Sequence, residues 1–234
     1  MNFLTFQKTL IAFSLITILT ACNPVPSSVS NTQIQEKQQI KQKVYGTFSD
    51  EQKKLFVRAN NLLEKDDTDE AIKILTTLAE QGQSDAQSTL AFVYIKKSRI
   101  LEAKQWLEKA AEQNHPEAQN NLGLLYLEGL GMAPDYNKAR QYFEQAVAQN
   151  SILAHNNLGM MYMQGLGVAV DYAKAKSYFE KAAEKNNSMA QFNLAMIYLN
   201  GFGEPVNIEK AKIYLKKAAE QGDQQAQKQL KSLP

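Results

Sequence analysis

The chain is poor in the residues that usually carry chemistry. It has one cysteine, Cys22, two histidines, His115 and His155, and one tryptophan, Trp106. A lone cysteine excludes an intramolecular disulfide framework. So few thiols and imidazoles also argue against a structural or catalytic metal site built from them. Charge of one sign is lacking too: 26 basic residues face 24 acidic ones, and no long run of either sign occurs. That excludes the basic footprint of a nucleic-acid binder. No apolar run reaches the ~20 residues that a membrane span needs. No cofactor, no metal and no nucleic acid are therefore expected. What is present is 44% hydrophobic residues in a chain of 234, enough for one sizeable domain or a repeat array.

The N-terminus is organised differently from the rest. Lys8 is the only charge before an apolar run from Leu10 to Leu19, and the run ends in Leu19-Thr20-Ala21-Cys22. A charged start, a short apolar core and a small-residue end make a secretory signal. The last four residues resemble a bacterial lipobox. That resemblance implies cleavage after residue 21, lipidation of Cys22 and membrane association through the acyl chains, which anchor stably when there is more than one. Asn23 stands where an aspartate would imply inner-membrane retention. The resemblance thus points to the periplasmic face of an outer membrane. The segment to residue 48 is rich in Pro, Ser, Gln and Lys and reads as a flexible tether with a mean reach of about 28 Å. The expected organisation is signal 1–21, lipidated cysteine and tether 22–48, and one domain 49–234.

That domain repeats itself. AQNNLGLLYLEGLGMAPDYNKARQYFEQAVAQNSIL begins at Ala118, and related 36-residue strings begin at Ala154 and Ala190. Two shorter units precede them, at about 52–85 and 86–117, and a closing piece follows at 226–234. In each long unit two helices are legible. The first, helix A, carries Leu122, Leu125 and Tyr126 on one face. The second, helix B, carries Ala139, Tyr142, Phe143, Ala146 and Val147 at helical spacing. Asp135, Asp171 and Asn207 stand where helix B needs an N-cap. Gly82, Asn114, Asn150, Asn186 and Gly222 stand where it must end, and these types tolerate a left-handed turn.

The pair Gly165-Leu166-Gly167 invites a phosphate-loop reading. The repeat rejects it. The pair recurs as Gly129-Leu130-Gly131 and Gly201-Phe202-Gly203, each time after a helical segment and without the lysine-serine pair of a phosphate loop. These are inter-helix turns that use glycine for positive φ.

The string A-x-x-N-L-G-x-x-Y-x-x-G-x-G followed by D-x-x-K-A-x-x-Y-F resembles the Sel-one-like repeat, a relative of the tetratricopeptide repeat. The resemblance covers 118–225 fully and 86–117 in part. It implies an all-α α-solenoid of helical hairpins that binds proteins as a non-catalytic adaptor, with helix A lining the concave groove. Two rival readings attach to it: a periplasmic immunity protein that neutralises a secreted toxin, and a cell-wall or β-lactam hydrolase. The family members linked to β-lactams are cysteine-rich, which this chain is not.

The candidate chemistry is thin. Glu108, Glu144 and Glu180 recur on the polar side of helix B, and neither histidine has a partner visible in the sequence. The binding candidates are richer, because helix A carries more apolar residues than one packing face needs. Phe92, Leu124, Met160, Phe192 and Met196 form the expected strip for a protein or peptide partner, and methionines suit an adaptable surface. Lys96, Asn120, Glu128, Asn156 and Gln164 flank it. Asn121, Asn157 and Asn193 are poor helix-interior residues, so their recurrence predicts a repeated backbone hydrogen bond that fixes the loop or a neighbouring unit.

Overall fold

The computed structural model describes residues 48–233, and all regular structure among them is helical. The signal, Cys22 and nearly all of the tether lie outside the described residues. Eleven helices follow one another: α1 (Asp50–Glu64), α2 (Thr68–Glu80), α3 (Ser84–Lys96), α4 (Ile100–Glu112), α5 (Pro116–Glu128), α6 (Tyr136–Ala148), α7 (Ile152–Gln164), α8 (Tyr172–Glu184), α9 (Ser188–Asn200), α10 (Ile208–Glu220) and α11 (Gln224–Lys231). The chain divides after Ala118 into two compact units.

In the first unit α1 packs on α2, α2 on α3 and α3 on α4. In the second, each helix from α6 to α11 packs on the next. Helices that pack chiefly on their sequence neighbours form stacked hairpins, the arrangement of an α-solenoid.

Local sequence explains where each helix starts and stops. Ser49 opens α1 with a capping box: its hydroxyl accepts from the Gln52 amide at 3.2 Å, and Gln52 Oε1 accepts from the Ser49 amide at 3.0 Å. Asp135, Asp171 and Asn207 accept from the Lys138, Lys174 and Lys210 amides at 2.9–3.0 Å. Asn114, Asn150 and Asn186, with Gly82 and Gly222, take the positive φ that closes helix B. Helix A of each long unit ends on the first glycine of its loop, and at Gly165 φ is +72°.

Burial separates the two helix types. Helix B is amphipathic and buries one stripe, as in Ala175, Phe179 and Ala182 of α8. Helix A of the inner repeats is covered more widely, and in α9 each residue from Ala190 to Tyr198 is buried. Between them the fit is close. A methyl group on Gly123 would stand 2.5 Å from Phe143 Cε1, and one on Gly159 would stand 2.6 Å from Phe179 Cε1. Where helix A carries alanine at that register, as at Ala59, Ala91 and Ala195, helix B carries Leu75, Leu107 and Leu215 in place of phenylalanine. All six of those residues are fully buried.

Candidate functional site

The helix-A strip is mostly packed within the fold. In the first unit Phe92 is buried and Lys96 is exposed, with its Nζ 4.7 Å from the Phe92 ring centre. In the second, Leu124, Phe192 and Met196 are buried, while Glu128, Met160 and Gln164 are half-exposed. Leu124, Met160 and Met196 stand one repeat apart. Leu122, Leu158 and Leu194, two residues earlier on the same helices, show no exposure at all. Leu124 keeps 5% and Met196 7%, and Met160 keeps more. The row therefore lies at the edge of the core and not inside it.

Asn120 and Asn156 are 1% exposed, and their oxygens are occupied. Asn157 Nδ2 donates to Asn120 Oδ1 at 2.9 Å, and Asn193 Nδ2 donates to Asn156 Oδ1 at 3.0 Å. The recurrent asparagines thus do tie neighbouring repeats together, but through side chains and not through the backbone. This ladder runs beside the row Leu124–Met160–Met196 and sets its 36-residue register.

A set of glutamine pairs, each within one repeat, escapes a reading of the sequence. Gln113 donates to Gln87 at 2.8 Å, Gln149 to Gln119 at 2.7 Å, and Gln221 to Gln191 at 2.8 Å. These glutamines sit at helix ends among other polar residues. The only signal is their recurrence, and the fourth long-range pair breaks it with Lys185 and His155.

Both histidines have structural partners that the sequence did not show. Nδ1 of His115 accepts the Ala118 amide at 3.2 Å, which caps α5. The ring proton is therefore on Nε2, which donates to Asp85 Oδ1 at 3.0 Å. His155 is the opposite tautomer: its Nδ1 lies 2.7 Å from the Ser151 carbonyl oxygen, which only accepts. Each imidazole is thus engaged in structural hydrogen bonds. The recurrent glutamates lie beside cations on their own helices: Glu108 with Lys104, Glu144 with Arg140, and Glu180 with Lys176. Among the described residues no group of three or more His, Cys, Asp or Glu side chains is placed to hold a metal ion.

Aromatic residues form a repeated motif at the hairpin mouths. Tyr126 stacks on Tyr142, Tyr162 on Tyr178 and Tyr198 on Tyr214, with centroids 5.7–5.9 Å apart. Lys138, Lys174 and Lys210 lie over the helix-A rings at 5.0–5.1 Å. Burial, then the neighbouring tyrosine, holds the phenols of Tyr178 and Tyr214 above the ordinary tyrosine range. In the first unit Arg99 covers Tyr94 at 4.3 Å and Lys109 covers Trp106 at 4.1 Å. Trp106 is only half-buried and lines an open cavity of about 440 Å³ with Tyr94, Glu102 and Gln105. It is nearer the surface than its place in the helix-B stripe implies, but its ring is already covered by Lys109.

The Sel1 repeat model matches the chain four times, over residues 93–115, 116–151, 152–187 and 188–223. A solved Sel1 repeat protein from Oxalobacter formigenes is 34% identical with a TM-score of 0.66, over 70% of this chain and 66% of that one. The protein c5321, a protective antigen present in uropathogenic Escherichia coli strains and displaying an SLR fold, is 26% identical with a TM-score of 0.46, over 76% and 48%. The immunity protein Pa5087 from Pseudomonas aeruginosa is 18% identical with a TM-score of 0.54, over 76% and 69%; that likeness is one of fold alone. The chain spans just under two thirds of the first of these proteins and under half of the second. No protein of curated function matches the sequence.

Proposed function

The chain belongs to the Sel1 repeat family, and we propose that it is an adaptor of the bacterial cell envelope, lipid-anchored through Cys22 at the periplasmic face of the outer membrane, that holds a partner protein along helix A. Sel1 repeats commonly mediate protein–protein interaction and are generally non-enzymatic. The observation that carries the reading is the register row: Leu124, Met160 and Met196 recur at one helix-A position and keep an edge open to solvent where their neighbours two residues earlier keep none. Apolar edges repeated at one position of successive A helices suit an extended or helical segment of a partner, with Gln164 and Glu128 placed to meet its polar groups.

The burial of Leu124 and Met196 decides how to test this. A charge at either position would have to be desolvated and would unfold the repeat. Met160 and Gln164 are half-exposed and suit the test, although Gln164 Nε2 is itself shielded from solvent. Full-length chain and its Met160→Glu/Gln164→Ala variant, both kept in mild detergent, are incubated with an envelope extract, and bound proteins are identified by mass spectrometry. One protein retained by the parent and lost by the variant, at equal helicity, is the expected result. A secreted toxin in that place makes the chain an immunity protein. Identical sets captured by parent and variant sink the helix-A assignment.

A further inference from the structure

Two consecutive long repeats differ at one loop position, and the difference leaves a cavity. In the fifth repeat Glu204, in the loop before α10, reaches back to Lys176 on α8. Lys176 Nζ lies 2.6 Å from Glu204 Oε1 and 5.1 Å from the centre of the Tyr198 ring. The close contact with Glu204, ahead of that with Tyr198, holds the Lys176 amine above its usual range despite partial burial. Cation, ring and carboxylate close on one another there.

Thirty-six residues earlier the same three places are held by Arg140, Tyr162 and Val168. The cation and the ring are kept, and an isopropyl group replaces the carboxylate. The Arg140 side chain is 33% exposed, and its nearest carboxylate oxygen, Glu144 Oε1, is 3.7 Å from Nε. That is beyond hydrogen-bond reach, and Nε, shielded from solvent, has no hydrogen-bond partner. In front of it lies an open cavity of about 320 Å³ lined by Arg140, Tyr162, Val168, Val170, Asp171 and Lys174. The one carboxylate in that lining is committed: Asp171 Oδ1 accepts the Lys174 amide at 2.9 Å, and Oδ2 lies 3.7 Å from Lys174 Nζ.

We propose that this cavity is a docking pocket for an acidic side chain of a partner protein, which completes around Arg140 the ion pair that the fifth repeat makes internally with Glu204. The inference rests on the adaptor reading and deepens it by naming the chemistry of one contact. A guanidinium presents a planar fork that matches a carboxylate. Val170, 51% exposed on the rim, gives the stem of a glutamate apolar surface to lie on, which a free inorganic anion has no use for.

The chain has three arginines, Arg58, Arg99 and Arg140. The Nε–Hε spectrum of the ¹⁵N-labelled full-length chain in mild detergent therefore holds three side-chain signals, and Arg140→Lys identifies the relevant one. The probes are a capped Gly-Glu-Glu-Gly peptide, the same peptide with glutamine, and acetate. The expected result is a saturable shift of the Arg140 signal with the glutamate peptide, with affinity for the glutamine peptide about tenfold weaker. Val168→Glu should fill the pocket from within, so that the signal is shifted before any peptide is added and no longer responds. Glu204→Val should open the matching pocket at Lys176 and raise the stoichiometry from one to two. No saturable shift, or an unchanged response in Val168→Glu, overturns the pocket. Acetate binding as tightly as the peptide overturns its assignment to a partner side chain. If Met160→Glu/Gln164→Ala abolishes partner capture while the peptide experiment fails, the adaptor reading stands and the pocket alone falls.

Discussion

The two compact units solve one packing problem in two ways. In the first, helix A passes to helix B through a short turn that forces Asp66 and Ser98 to positive φ, and the interface is filled by alanine against leucine. In the second, a four-residue insertion brings a glycine pair into each turn, and the third and fourth repeats of the chain fill the interface with glycine against phenylalanine. The fifth repeat separates the two devices. It keeps the glycine loop, Gly201 to Gly203, yet returns to Ala195 and Leu215. The loop therefore does not dictate the interface. Each pair is complementary in volume by itself, because a close-packed interior registers one methyl group. The units also differ in polar fastening: the asparagine ladder joins repeats of the second, while Ser88 and Thr89 hold the equivalent places in the first.

The sharpest way to break that comparison is to cross the pairs. Gly123→Ala puts a methyl group against a fully buried ring and should cost about 3 kcal/mol in urea unfolding, the upper end for overpacking. Adding Phe143→Leu should restore most of it, since the double variant recreates the first unit's pair. Costs that simply add would show that the two residues do not form a matched pair. A smaller effect is expected at the ladder. Asn193→Ala leaves the buried Asn156 oxygen without a donor and should cost about 2 kcal/mol. Asn193→Asp, if as stable as the parent at neutral pH, would show that no amide donor is needed there. The smallest effect sharpens the contrast from the other side. His115, Ser151, Asn187 and Asp223 each cap the amide three residues on, whereas Gln83 at the same register does not cap α3 and is buried with both amide atoms unpartnered. Gln83→Asn should raise stability by about 1 kcal/mol, read as a higher melting midpoint; a lower midpoint would mean that the glutamine fills space that matters more than the cap.

Much of this was legible without coordinates, for a physical reason. Helix ends are decided locally, by φ preference and by side chains within three residues. The caps at Asp135, Asp171 and Asn207 and the left-handed stops at Asn114, Asn150 and Asn186 were therefore readable one position at a time. Repetition supplied the rest, since three copies of Asn-Leu-Gly turn an unlikely helix-interior residue into a signal. What resisted was any property set by distance across repeats. Asn120 and Asn156 read as surface groups for a partner, because nothing local shows that the next repeat's asparagine reaches them. The Asp85 partner of His115, 30 residues away, was hidden for the same reason; the glutamine pairs join the two helices of one repeat and show only as a recurrence, and the Ser151 carbonyl that holds His155 is a local contact that its residue type does not announce. Arg140 reads as one more helix-B cation until its neighbour Val168 is compared in space with Glu204.

By itself the sequence determined the helical class, the 36-residue period, the hairpin turns and the family, because each rests on short-range chemistry copied several times along the chain. Tertiary structure alone decided which apolar residues of helix A are core and which keep an edge in solvent, which polar groups are committed to other repeats, and which helix-B cation a loop carboxylate reaches. Those depend on what lies one repeat away, and burial and hydrogen-bond satisfaction are properties of the stack.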